Sequence, residues 1–298
     1  MKPTESLSRN TEDVADSLAA MIKREITTLN HEGYLHPSEP NMITADDRRK
    51  LVDWCYSVVD HCQLSRETVA STMDMVDRFL SMPSNSLDAA RVSDEALRDQ
   101  SKFQLLTIAA LYSSIKVHER VALSSGLLAE ICSRTYTAEE IEDMERILLS
   151  GLSWRCHSPT ARQIGLSILS LILPYVDIPE VTWGFLLDEM TYLTELAVRD
   201  YYFTFERTST IALAAIFSVI SDTSTEERRE LGAFSRVIME CFEFDHPKYI
   251  SAARKRLRCL VTPDDILLQD DDVDKRSLDE SEQTIKVSNS SSQKSFLL

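Results

Sequence analysis

A chain of 298 residues, of which 43% are hydrophobic, is long enough to bury two domain cores. Its formal net charge of −16 counts against nucleic-acid binding, which favours a basic protein face. Only 6 residues are glycine, and the phosphate-binding patterns GxGxxG and GxxxxGK are absent, so we expect no glycine-rich phosphate loop.

The cysteines indicate neither a disulfide framework nor a metal site. All 6 are scattered without a CxxC pair, and no signal peptide is recognisable, which favours reduced thiols in the cytosol or nucleus. Cys55, His61 and Cys62 are close in sequence, but they lie in a helical pattern and lack the spacing of zinc ligands. We therefore expect no metal and no other cofactor.

Residues 1–43 are predicted to form an N-terminal extension with one amphipathic helix. We expect disorder over residues 1–9, and Asn10 is a suitable N-cap. Apolar residues then recur at steps of three and four from Val14 to Leu29, which is typical of a helix. Gly33 and two prolines indicate a linker after this helix.

Residues 44–154 carry a pattern of successive short helices. Thr44 with Asp47 and Thr137 with Glu140 resemble the capping boxes that begin helices. The predicted helices run from Thr44 to about Cys62, from Ser65 to Ser81, from the end of a loop at 83–91 to Lys116, from Ser124 to Cys132, and from Thr137 to Gly151.

Two stretches are apolar on every side of a helical wheel. They are FQLLTIAALYSSIK at 103–116 and TIALAAIFSVI at 210–220. A helix of this kind is buried inside a domain. Both are too short to span a bilayer, which requires roughly 20 apolar residues. Their likeness indicates an internal repeat, although two core helices can also resemble each other by chance.

Residues 155–261 repeat the arrangement of the first segment. Helices are predicted at 160–173, 180–199, 207–221, 226–242 and 247–260, with the third again fully apolar. The predicted fold class is therefore all-α, with two five-helix domains in tandem.

The composition changes at Thr262, and residues 262–298 are acidic and rich in serine. With few large apolar residues, this segment is expected to be a disordered tail. Its DDDVD run at 270–274 resembles a Mg²⁺–diphosphate motif of an all-α synthase. Such a motif requires rigid helices to aim its carboxylates, so we do not favour that enzyme.

Several short motifs follow one another in order along the chain. They are RRKLVDW at 48–54, VDRFLS at 76–81, KVHE at 116–119, DMERIL at 143–148, and YLTEL at 192–196 followed by Asp200. Together they resemble motifs of the cyclin family, and the resemblance covers about residues 12–260. The match is stronger in 44–154, the N-terminal cyclin box, than in 155–261, the cyclin-box-like second domain.

The resemblance implies a regulatory protein that is not itself an enzyme. Cyclins bind and activate a cyclin-dependent Ser/Thr protein kinase during cell-cycle progression, so a heterodimer with such a kinase is expected. Lys116 and Glu145 match the pair that holds the kinase, and Arg48 and Asp77 match a structural ion pair between the first two helices of the box. From the residues alone, Lys116 and Glu145 could instead pair only with each other at the surface, contributing about 0–1 kcal/mol.

The resemblance also implies a candidate docking patch for kinase substrates or inhibitors. Leu51 and Trp54 match the apolar floor, and Gln104 a polar contact, of the site where cyclins bind Arg-x-Leu peptides. Three positions depart from the family pattern: Asp47 replaces Met, Lys50 replaces Ile, and Ser57 replaces the acidic residue that meets the peptide Arg. Docking of that type is therefore in question, and Leu51 and Trp54 could simply be core residues.

Two short motifs concern regulation and localisation. Thr262–Pro263 resembles a proline-directed phosphorylation site, where phosphate could create a degradation signal. Arg254–Arg256 is either a nuclear import patch or a solvated helix face. We expect the nucleus and cytoplasm, with no membrane or nucleic-acid partner. The alternative function is a cyclin-fold transcription regulator, acting through a transcriptional kinase or by DNA and protein binding like a general transcription factor.

Overall fold

The regular structure of this chain is helical. The computed structural model describes residues 3–28, 33–35, 42–81, 86–121 and 123–261, and only the backbone of 3–10 and 27–28. Across these ranges it contains twelve α-helices, two short 3₁₀ helices and no strand, which confirms the predicted all-α fold class.

The helix bounds follow. They are α1 Pro3–Thr28, α2 Ala45–His61, α3 Glu67–Ser81, α4 Leu87–Arg98, α5 Gln100–His118, α6 Ser125–Ile131, α7 Ala138–Gly151, α8 Ala161–Ile172, α9 Glu180–Arg199, α10 Thr208–Ile220, α11 Thr225–Cys241 and α12 Pro247–Val261, with 3₁₀ helices Leu173–Tyr175 and Tyr201–Phe205.

The chain divides into two units after Arg258. Of the second unit the structure describes residues 259–261, which end α12. The predicted boundary at residue 154, between two five-helix domains, stays a prediction. The expectations for the tail 262–298, for Thr262 and for the linker prolines Pro37 and Pro40 fall outside the described residues.

Both predicted capping boxes are confirmed. The Thr44 hydroxyl accepts from the backbone N–H of Asp47 at 3.2 Å, and the Asp47 carboxylate accepts from the N–H of Thr44 at 3.0 Å. Thr137 and Glu140 make the same reciprocal pair at the start of α7. Each box satisfies N–H groups that the first turn of a helix leaves without an intrahelical partner.

The prediction of a loop at 83–91 is wrong from residue 87 onward, where α4 begins. The Ser86 hydroxyl caps α4 by accepting from the N–H of Ala89, and Ala89, Val92 and Ala96 are buried along one face. Asp99 then separates α4 from α5, because it ends the first helix and its carboxylate caps the second. The buried helix expected from the sequence is α5, and α4 is a separate helix that precedes it.

Two smaller expectations are also corrected. The backbone is helical from Pro3, so disorder was wrongly predicted for residues 3–9. Gly151 is the last residue of α7 and does not adopt the left-handed conformation of a C-cap; Ser153 and Trp154 do, with φ of 51° and 61°.

The two apolar helices α5 and α10 occupy the interior, as predicted. In α5 every residue from Leu105 to Leu111 is buried, and α5 packs against α3 and α7. In α10 every residue from Ser209 to Ile216 is buried, and α10 packs against α8 and α9. Within the described ranges, no helix combines the length and apolar character needed to cross a membrane.

Candidate functional site

Lys116 and Glu145 lie together where α5 meets α7. Lys116 is in the last turn of α5, and its Nζ lies 2.6 Å from a carboxylate oxygen of Glu145 in α7. The Glu145 side chain is only 9% exposed, whereas that of Lys116 is 40% exposed. The pair therefore joins a buried carboxylate to a cation that solvent or a partner can reach.

Two residues of α5 surround this pair. The Ser113 hydroxyl donates to Oε1 of Glu145 at 2.6 Å, and Ser113 itself is buried. The Lys116 ammonium lies 4.1 Å from the centre of the Tyr112 ring, which is a cation–π distance. Neither neighbour was identified from the sequence, although residues three and four positions before Lys116 share its helix face.

An exposed aromatic residue follows α7. Trp154 is 72% exposed, and the left-handed backbone of Ser153 and Trp154 turns the chain sharply after the helix. Burial raises the pKa of the thiol of Cys156, two residues on, while the charge of Arg78 opposes this rise and that of Glu145 adds to it.

Arg48 and Asp77 form a buried pair between α2 and α3. Nε and Nη2 of Arg48 donate to the two Asp77 carboxylate oxygens at 2.9 and 2.7 Å, and Arg48 is 2% exposed. Nη1 of Arg48 donates to the carbonyl of Val198 at 2.7 Å, and the Tyr34 hydroxyl donates to Asp77 at 2.6 Å. This cluster joins α2, α3, α9 and the segment before α2.

The protonation of this cluster follows from its burial and charge. Burial by itself would lower the pKa of Arg48, but Asp77 and then Tyr34 together outweigh burial and raise the pKa overall. Burial, and then the charge of Asp77, raise the pKa of Tyr34 well above its ordinary value. Arg48 therefore stays charged and Tyr34 stays a donor, an arrangement suited to fixing helix geometry.

The three residues of the candidate docking patch lie on α2 and α5. Leu51 and Trp54 are partly buried and pack against the core. The carbonyl oxygen of the Gln104 side chain lies 3.0 Å from the Tyr136 hydroxyl. The patch is thus an edge of the core with some apolar surface left open.

The carboxylates nearest to Ser57 on α2 are already bonded within the chain. Asp53 accepts from Nε of Arg199 at 2.6 Å, and Asp60 accepts from Arg66 at 2.5 Å. The Ser57 hydroxyl itself donates to the backbone carbonyl of Asp53 at 3.0 Å. An arginine from a docked peptide would have to compete for these carboxylates.

The basic residues Arg254–Arg256 lie in α12. Nε of Arg256 donates to Asp200 at 2.6 Å, and burial, followed by the charge of Arg258, lowers the pKa of Arg254. Import through this patch stays a prediction. Among the residues that the structure describes, no three His, Cys, Asp or Glu side chains are arranged to hold a metal ion.

Comparison with known proteins identifies the first half of the chain. Residues 16–157 match the family model described as cyclin, N-terminal domain. Cyclin-A2-1 of rice (Oryza sativa subsp. japonica) is 28% identical over 175 residues, which are 59% of this chain and 32% of that protein. The G2/mitotic-specific cyclin C13-1 of carrot (Daucus carota) is 29% identical over 159 residues, 53% of this chain and 42% of that protein. The chain thus spans less than half the length of these relatives.

The fold agrees with a solved structure. A viral cyclin from herpesvirus saimiri superposes with a TM-score of 0.60 at 15% identity, covering 82% of this chain and 97% of the viral protein. At that identity the likeness concerns the fold, and it extends beyond the segment matched by the family model. Residues 16–157 therefore resemble a cyclin N-terminal domain, and the chain has the cyclin fold.

Proposed function

We propose that this chain is the regulatory subunit of a cyclin-dependent Ser/Thr protein kinase, which it binds and activates to regulate cell-cycle progression. The observation that carries the proposal is the Lys116–Glu145 pair. A buried carboxylate holds a half-exposed cation at the end of a rigid helix, within the segment that resembles a cyclin N-terminal domain. The exposed Trp154, which follows α7, is a further candidate for a partner contact, because aromatic anchors carry much of the energy of protein interfaces.

The geometry suits recognition of a partner helix. The Lys116 ammonium has three N–H donors, and those that Glu145 does not use can bind the free carbonyls that end a helix. A carboxylate such as Glu145 can accept from the free N–H groups that begin a helix. Both groups are placed by helices before the partner arrives, so little ordering is required on binding.

In this proposal the chemistry belongs to the kinase. The cyclin acts by contacting the regulatory helix of the kinase, which positions the kinase Lys–Glu ion pair and the activation loop for phosphoryl transfer. We place the complex in the nucleus and cytoplasm. A fluorescent fusion expressed in the native cells, imaged beside nuclear and membrane markers, checks this placement, and a membrane-bound signal contradicts it.

The test is affinity purification of the full chain from its own cells, followed by a protein kinase assay on the eluate. Lys116→Ala is compared with wild type and with Glu145→Ala. Lys102→Ala and Glu139→Ala are matched controls, because they remove the same charges from exposed positions on the same two helices.

We expect a kinase to co-purify with wild type and with the controls. Each substitution in the pair should weaken affinity for that purified kinase by roughly 2–5 kcal/mol, as for desolvated, hydrogen-bonded charges. Circular dichroism verifies that each variant is folded. Equal affinity of wild type and Lys116→Ala would reject this interface, and the absence of any co-purifying kinase would reject the function.

A further inference from the structure

The Lys116–Glu145 pair is held in place by two neighbours on α5, Tyr112 and Ser113. We propose that both are positioning residues, which set the geometry of the pair and thereby the affinity for the kinase. This inference rests on the proposed function, and it adds residues that act through the pair rather than through contact with the partner.

Ser113 fixes the carboxylate of Glu145. Its hydroxyl donates to Oε1 at 2.6 Å, and the Lys116 ammonium lies 2.6 Å from both Oε1 and Oε2, so the hydroxyl and the ammonium hold the carboxylate between them. Ser113 is 2% exposed and the Glu145 side chain 9%. A buried carboxylate held by a hydroxyl and an ammonium has a restricted orientation, because turning it away would give up hydrogen bonds in a low-dielectric site.

Tyr112 restricts the long side chain of Lys116. The two residues are four positions apart on α5 and therefore neighbours on its surface. The ammonium lies 4.1 Å from the ring centre on one side and 2.6 Å from Glu145 on another. A free lysine side chain has many rotamers. The two contacts restrict the rotamers of Lys116 in advance, so less conformational entropy is lost when the kinase binds.

The arrangement holds Lys116 without closing it off. With 40% of its side chain exposed, Lys116 can still present N–H donors to a partner. Ser113 is too deeply buried to touch one. A substitution at Ser113 should therefore change kinase affinity without removing any contact with the kinase, which distinguishes positioning from direct binding.

The first readout is NMR of the free, full-length protein with ¹³C-labelled lysine. An aromatic ring beneath the ammonium shifts the Lys116 Hε resonances upfield, and Lys116→Ala assigns them. We expect this ring-current shift in wild type and in Tyr112→Phe, which keeps the ring. It should be lost in Tyr112→Leu and reduced in Ser113→Ala, where Glu145 is free to turn.

The second readout is affinity for the kinase that co-purifies with wild type. We expect Tyr112→Leu to bind about two- to five-fold more weakly and Ser113→Ala about three- to ten-fold more weakly. Tyr112→Phe should bind like wild type. Thermal melts establish that each variant is folded.

The outcomes separate the two proposals. If Lys116→Ala loses affinity while Tyr112→Leu and Ser113→Ala do not, the positioning role is overturned and the proposed interface stands. If wild type brings down no kinase, the proposed function fails. The Lys116 ring-current shift alone then tests whether Tyr112 and Ser113 position Lys116. A wild-type spectrum without that shift overturns the positioning role.

Discussion

The carboxylate of Glu25 accepts a hydrogen bond from the backbone N–H of Ser209 at 2.8 Å. Glu25 belongs to α1 and Ser209 to the first turn of α10, so one helix caps another that lies far away in sequence. Arg207, at the N-cap position of α10, provides no side-chain cap of its own. The guanidinium of Arg207 and the hydroxyl of Thr208 bind the same carboxylate. Glu25 as a whole is 3% exposed.

Removing this cap should destabilise the protein strongly. We expect Glu25→Ala to lower the free energy of unfolding by about 3–5 kcal/mol, because it leaves the Arg207 charge and a helix N-terminus without their buried partner. Urea unfolding followed by circular dichroism measures the loss. Glu12→Ala removes the same group from an exposed position on α1 and should change stability by less than about 0.5 kcal/mol. Equal losses in the two variants would contradict the capping role.

The contact between α7 and α4 depends on a glycine. A Cβ atom at Gly151 would lie 2.6 Å from Cε2 of Phe79 and 3.0 Å from Cβ of Ala89. We expect Gly151→Ala to cost about 1–3 kcal/mol in unfolding free energy, as overpacking does. Gly184 is the matched control, since a Cβ there meets no atom within 4 Å. Gly184→Ala, on α9, should instead stabilise by about 0.5–1 kcal/mol. Loss of stability in both variants would contradict this account.

Periodicity and capping patterns predicted most of the helices because both are local properties of the sequence. The Thr44 and Thr137 boxes fixed two helix starts, and the all-round apolar pattern of α5 and α10 indicated their burial. The helix α4 was missed because its buried face consists of Ala89, Val92 and Ala96, a weak apolar signal among charges. Its close packing against α7 at Ala89 depends on Gly151, which is distant in sequence.

The candidate site was predicted less completely than the fold. Lys116 and Glu145 were identified by resemblance, but the roles of Tyr112, Ser113 and Trp154 depend on which groups the fold brings together. Glu25 was missed for the same reason. Its partners Arg207, Thr208 and Ser209 follow it by more than a hundred and eighty residues, and no local pattern links them.

The candidate docking patch on α2 and α5 should not recognise an arginine in a peptide. Ser57 provides no charge, and the neighbouring carboxylates of Asp53 and Asp60 are occupied by Arg199 and Arg66. We expect weak binding of a fluorescein-labelled Arg-x-Leu peptide, unaffected by replacing the peptide Arg with Ala.

Ser57→Glu should restore dependence on that arginine, with a two- to five-fold gain in affinity typical of about 0.5–1 kcal/mol for an exposed ion pair. Fluorescence anisotropy measures both peptides. Ser251→Glu adds the same charge on α12 and should have no effect. Wild-type binding that already depends on the peptide Arg would show that Asp53 or Asp60 is available after all.

The end of α5 carries a histidine that should make stability depend on pH. The His118 ring lies 5.1 Å from that of His157, and Nε2 of His118 is buried without a hydrogen-bond partner in the described part of the chain. Burial, and then the charge of His157, lower the pKa of His118 below its ordinary 6.5, while Glu67 and Glu119 oppose the shift. Protonation therefore costs more in the folded state than in the unfolded state.

The unfolded chain binds this proton more readily, so the free energy of unfolding falls as the pH drops below about 6.5 toward the lower folded pKa. Above about pH 7.5 the contribution of His118 is constant, because the ring is neutral in both states. Urea unfolding at intervals between about pH 8 and pH 5 should show the decline, and His118→Gln should flatten it. His246→Gln, which changes an exposed histidine before α12, should leave the slope unchanged. A slope that is the same in wild type and His118→Gln would assign the pH dependence to other groups.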